Sequence, residues 1–88
     1  MSVTIKVASA LRAFAGNQET VATKGETIRA CLDDFAKQYP DVKKFLFDGA
    51  GTPMAIILHH NELVNAKNLN QKIKDGDELE IYMIMGGG

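Results

Sequence analysis

Four features of the sequence carry groups that could do chemistry. They are Cys31, the pair His59-His60, the acidic set Asp75, Asp77 and Glu80, and the glycines Gly86, Gly87 and Gly88. Cys31 is the only cysteine. That excludes an internal disulfide, a cysteine-held zinc site and a cysteine-ligated iron–sulfur cluster. It falls on an apolar helical stripe with no paired histidine suggested nearby, so it reads as a core residue rather than a nucleophile. His59 and His60 are adjacent, and on a strand they would point to opposite faces. They read as structural or surface residues, and as poor co-ligands. A calcium loop would need another oxygen ligand two residues after Asp77, where Leu79 stands. The acidic set therefore reads as a turn, and no metal site is expected.

The glycines are the more informative feature. Three in succession cannot belong to a strand core or a helix. No helix follows them and no Lys-Ser/Thr pair accompanies them, so they do not form a phosphate cradle. Without side chains, an extended Gly86-Gly87-Gly88 can thread a narrow channel in a partner, reaching about 10 Å. The carbonyl carbon of Gly88 is unhindered, but an ionised carboxylate is a poor electrophile at neutral pH. Adenylation by ATP would supply a leaving group, and a sulfur or amine nucleophile could then displace AMP. The chain offers no ATP site, so another protein must provide one.

Elements that could present such a tail are legible upstream. Val3, Ile5 and Val7 alternate with polar residues as in a strand with one buried face. A second strand is expected around Glu19–Thr23, after a Gly16-Asn17 turn. Thr27 suits a helix N-cap. Ile28, Cys31, Leu32, Phe35 and Tyr39 then recur as one apolar stripe, which Pro40 ends. A short further turn of helix is expected within Asp41–Leu46. Met54–His59 reads as a strand, with a short partner near Leu63-Val64. Leu69 and Ile73 anchor the following segment. Asp75-Gly76-Asp77 turns into a last strand whose Leu79, Ile81 and Met83 share one face. Tyr82 and Ile84 then face the other way and are candidate partner-binding residues, with Phe14 as an extension of that patch. A helix crossing between strands favours parallel pairing of the first and last strands. The expected fold is an α+β roll of the β-grasp type, a mixed sheet of four to five strands on one main helix.

The stretch Ile73-Lys74-Asp75-Gly76-Asp77-Glu78-Leu79-Glu80-Ile81, followed by Tyr82-Met83-Ile84-Met85 and the glycines, resembles the ending of ubiquitin-like sulfur carriers. Gly25-Glu26-Thr27-Ile28 is similar to the family's helix start, and Leu11-Arg12 with Gly16 to the first loop of some members. The group includes the thiamine-biosynthesis carrier, the small subunit of molybdopterin synthase and the carrier of cysteine biosynthesis. The resemblance implies a ubiquitin-like domain at 1–85 and a flexible tail at 86–88. It also implies adenylation of Gly88 by an E1-like enzyme that uses ATP, with no cofactor bound by the chain itself. Sulfur from a donor such as a cysteine desulfurase then forms a thiocarboxylate, which a biosynthetic enzyme accepts. Gly86 and Gly87 would thread the partner's site. Gly86 is one glycine beyond the family's Gly-Gly, and Met83 stands where many relatives have proline. Three other roles stay open: a molybdopterin synthase subunit, a modifier joined to target lysines, and a β-grasp interaction module whose tail is inert.

Composition agrees with a carrier rather than an enzyme. Eighty-eight residues allow one small domain and no large cleft. A formal net charge of -1 argues against a dedicated nucleic-acid binder. Residues 1–44 hold seven basic and five acidic side chains and residues 45–88 three and six, a mild asymmetry that reads as surface solvation and leans toward a basic partner. No apolar run is long enough to span a bilayer, and the first residues lack a signal-peptide layout. The expected location is the cytoplasm, and the expected free state a monomer.

Overall fold

The computed structural model describes residues 2–83. Strand β1 (Ser2–Val7) leads through a single helical turn, α1 (Ser9–Arg12), to β2 (Thr20–Lys24). The main helix α2 (Ile28–Gln38) follows, then a 3₁₀ turn at Pro40–Val42 and the short α3 (Lys43–Leu46). The chain continues through β3 (Ile56–His59), β4 (Glu62–Leu63), a 3₁₀ turn at Ala66–Asn68, and β5 (Glu78–Tyr82). The five strands form one sheet in the order β2-β1-β5-β3-β4. Only β1 and β5 run parallel, from Thr4 opposite Glu78 to Val7 opposite Ile81. The other pairs are antiparallel. This is the expected mixed β-grasp roll.

The alternation in β1 and β5 turns Val3, Ile5, Val7, Leu79 and Ile81 inward, and all are buried. Against them α2 lays Ile28, Cys31, Leu32 and Phe35, all fully buried. Tyr39 caps the helix half-buried, edge-on to Phe35. Thr27 Oγ1 accepts the Ala30 N–H at 3.1 Å, the expected cap. The next two helical N–H groups find partners outside the helix. Ile28 donates to the Gln71 carbonyl and Arg29 to that of Leu69. This ties the 69–73 segment down and buries Leu69 and Ile73 as expected. Cys31 sits in the core, where burial pushes its thiol pKa up and leaves it unreactive. Thr23 is the one buried polar residue among those described, and its hydroxyl donates to the Val3 carbonyl at 2.8 Å.

The middle of the chain departs from its sequence pattern. Residues Met54 and Ala55 are not strand, and β3 begins at Ile56. Met54 N–H bonds the Leu46 carbonyl instead, and Pro53 bridges Phe47. Pro53 has no N–H to give a ladder, so regular pairing starts beyond it. β2 and β4 are each displaced by one residue from expectation.

Gly25 is required by close approach rather than by a turn. A Cβ there would lie 2.8 Å from both the Ala30 Cβ and the Cys31 backbone N. These atoms belong to the packed first turn of α2 and cannot retreat cheaply. Gly25→Ala is therefore expected to cost about 1–3 kcal/mol, read as a lower urea midpoint with unchanged slope.

Candidate functional site

The site is the open face of the sheet together with the end of β5 from which residues 84–88 continue. Strand alternation turns Ile56, Leu58 and Tyr82 away from α2, and register brings them together. Ile56 pairs with Tyr82, Leu58 with Glu80, and Leu58 with Leu63 across the next ladder. Ile56 is 38% exposed, Tyr82 40% and Leu63 62%, beside the half-buried Leu58. These four make an apolar patch on one half of the face. Toward β1 the face turns charged, with Lys6 paired to Glu78 at 3.4 Å.

Tyr82 is held in place. Its hydroxyl donates to Glu80 Oε2. That hydrogen bond, reinforced by the carboxylate's charge, pushes the phenol's pKa above its ordinary value. At neutral pH it is protonated, a fixed donor on an apolar ring. Next to it, a groove of about 640 Å³ runs along the ends of β1 and β5, lined by Ala8, Ser9, Arg12, Glu19, Tyr82 and Met83 among others. Arg12 Nε donates to the Val7 carbonyl at 2.9 Å and its Nη1 lies 3.9 Å from Glu19. This braces the groove wall. Ala8 N–H bonds the Ile81 carbonyl, fixing the loop after β1 to the end of β5.

Phe14 does not extend this patch. Its ring tilts against Phe45 of α3 at 4.6 Å and is half-buried on the core cluster, with Lys44 over it. The first loop folds toward the helical layer because Leu11 and Ala15 are drawn into the core, and Phe14 follows. Ile84, Gly86, Gly87 and Gly88 lie outside the described residues, as does the expected boundary between 1–85 and 86–88. Ile56, Leu58 and Leu63 were not among the sequence candidates. For Ile56 and Leu58 the signal was the second parity of β3, and for Leu63 its pairing with Leu58, both uninterpretable until the register to β5 is known.

The two histidines depart from expectation. His60 and Asn61 both have positive φ, 53° and 64°, and form the two-residue loop between β3 and β4. Adjacent strand residues would diverge, but this left-handed turn swings His60 back. The rings of His59 and His60 lie 4.1 Å apart, and both face Asp77, at 3.2 and 3.9 Å. Asp77 also accepts the Lys74 N–H at 3.0 Å. That bond, and then the His59 ring, hold its carboxyl below the usual range. Gly76, with φ 87°, allows the turn that aims it.

Among the described residues no helix is long and apolar enough to cross a membrane.

The model of the ThiS family matches residues 5–88. The chain belongs to the ThiS family. Sulfur carrier protein CysO of Mycobacterium tuberculosis is 29% identical to this ThiS-family chain over 94 residues, covering all of both. The structure of SAMP1 from Haloferax volcanii superposes with a TM-score of 0.83 at 24% identity, again over the whole of both chains. A chain of the Amycolatopsis orientalis BexX/CysO complex gives 0.81 at 25%, over 98% of this chain and 99% of that one. The ubiquitin-like β-grasp fold of the ThiS-family chain agrees with these neighbours.

Proposed function

We propose that this chain is a sulfur carrier rather than an enzyme. Gly88 is the carrying residue, and the open sheet face docks the enzyme that loads it. The observation that carries this reading is the family match, which runs through the terminal glycines to residue 88. The full-length likeness to CysO supports it.

The chemistry balances as follows. A carboxylate oxygen of Gly88 attacks the α-phosphorus of ATP in the partner, and pyrophosphate leaves. Hydrosulfide then adds to the acyl carbon and gives up its proton, and AMP leaves with the former carboxylate oxygen. The resulting thiocarboxylate is a sulfur nucleophile that the acceptor enzyme consumes. The described domain contributes no group to these bonds. It supplies a rigid handle, the patch Ile56-Leu58-Leu63-Tyr82, from which Gly86 and Gly87 reach into the partner's site. The BexX/CysO complex supports a carrier that works in contact with a partner protein.

Intact-mass analysis tests the reading. With its adenylating enzyme, ATP and a sulfur donor, the chain is expected to gain the mass of one oxygen exchanged for sulfur, at the C-terminal peptide. An unmodified chain, or one found only as lysine conjugates of other proteins, would overturn it.

The docking face has its own test. Ile56→Asp places a charge at the centre of the patch without touching the core. It is expected to raise the carrier's KM for the adenylating enzyme roughly 10–100-fold. The melting temperature should change little. An unchanged KM would remove the open face from the docking surface.

A further inference from the structure

We propose that His59, His60 and Asp77 form a surface binding site for one divalent transition-metal ion of the Zn²⁺ class. The three residues come from two separate parts of the chain, the β3–β4 loop and the turn before β5. Topology alone brings them together, since β3 and β5 are sheet neighbours. One ligand atom from each can be chosen so that all lie within 4.8 Å of one another. His59 Nε2 and Asp77 Oδ2 are already 3.2 Å apart. Two ligand atoms on a tetrahedral zinc, each about 2.0–2.1 Å from it, stand roughly 3.3 Å apart. The separation of this pair therefore already matches that of two zinc ligands, and a small tilt of the ring exchanges the shared hydrogen bond for two coordinate bonds. The His59 proton moves to Nδ1, and the neutral ring ligates through Nε2.

His60 has to close further, and it has the room. Its side chain is 70% exposed, against 14% for His59 and 16% for Asp77. Asp77 is held by the Lys74 N–H, so its carboxylate is aimed before any ion arrives. Two imidazoles and one carboxylate suit Zn²⁺, Ni²⁺ or Cu²⁺. They are wrong for Ca²⁺ and Mg²⁺, which require a shell of oxygen ligands. Three protein ligands leave at least one position for water or for a group from another molecule. The His59–His60–Asp77 cluster lies at the start of β5 and the tail follows its end. The five residues of β5 separate the cluster from that end by roughly 17 Å. Metal binding and tail chemistry are thus independent, and each can fail without the other.

The test is titration of the untagged full chain with Zn²⁺ alone, followed by calorimetry and by the imidazole ¹H–¹⁵N resonances. One equivalent is expected to bind, shifting the resonances of both His59 and His60. His60→Asn keeps a residue tolerant of positive φ and removes one ligand. It is expected to weaken binding at least about tenfold, while sulfur loading of the tail is unchanged. Absence of binding, binding that leaves either ring unshifted, or affinity untouched by His60→Asn would each overturn the site.

Discussion

Removing Gly87 and Gly88 is expected to abolish sulfur loading completely while leaving the melting temperature where it was. The two halves of that expectation have separate causes. Loading is lost because the acyl carbon then belongs to Gly86, two residues short of the partner's site. Extended residues reach about 3.3–3.6 Å each, so the shortfall is roughly 7 Å. Chemistry that needs reacting atoms about 3–3.5 Å apart cannot tolerate such a gap. Stability is kept because the buried core spans Val3 to Ile81 and the last ladder pair is Ile56 with Tyr82. Intact mass and thermal unfolding on the same sample check both halves. Loading that survives the deletion would move the carrying residue away from Gly88.

Phe35→Ala is expected to have the largest effect on the fold. Phe35 is the largest of the fully buried side chains and lies on the α2 face that covers the sheet. Truncation removes its transfer energy and leaves a cavity that surrounding Ile and Leu side chains fill only in part. The expected cost is about 3–5 kcal/mol. Small domains have only about 5–15 kcal/mol in total. At about 4–8 °C per kcal/mol for a chain of this size, melting falls by roughly 12–40 °C. Circular dichroism at 222 nm reads this directly. A loss under about 1 kcal/mol would mean that the helix–sheet interface repacks around the gap.

Local periodicity made most of this architecture legible. The alternation of Val3, Ile5 and Val7 and the stripe from Ile28 to Phe35 each lie within one element, so residue spacing alone assigns the buried face. The parallel pairing of β1 with β5 followed from chain handedness. What stayed hidden depends on partners distant in sequence. Met54 looks like strand until Leu46 claims its N–H. Ile56 looks like an ordinary strand residue until its register places it beside Tyr82. His60 was assigned to the wrong side because strand alternation was carried into a residue with positive φ. Phe14 looks like an extension of the Tyr82 patch until Phe45 and the core neighbours Leu11 and Ala15 decide where it sits. The reading of the tail glycines as chemistry rests on the sequence alone, since they lie outside the described residues.

The place of β5 in the sheet governs when this protein can fold during its own synthesis. β5 lies in the middle of the strand order, between β1 and β3, yet it is the last strand made. Until it leaves the ribosome, the β2-β1 hairpin with α2 and the β3-β4 hairpin lack the strand that joins them into one sheet. The sheet therefore closes only once β5 is available, slowed by the long closure that joins Thr4 to Glu78. A ribosome that stops short of β5 yields a polypeptide open to proteases instead of a folded decoy without its glycines.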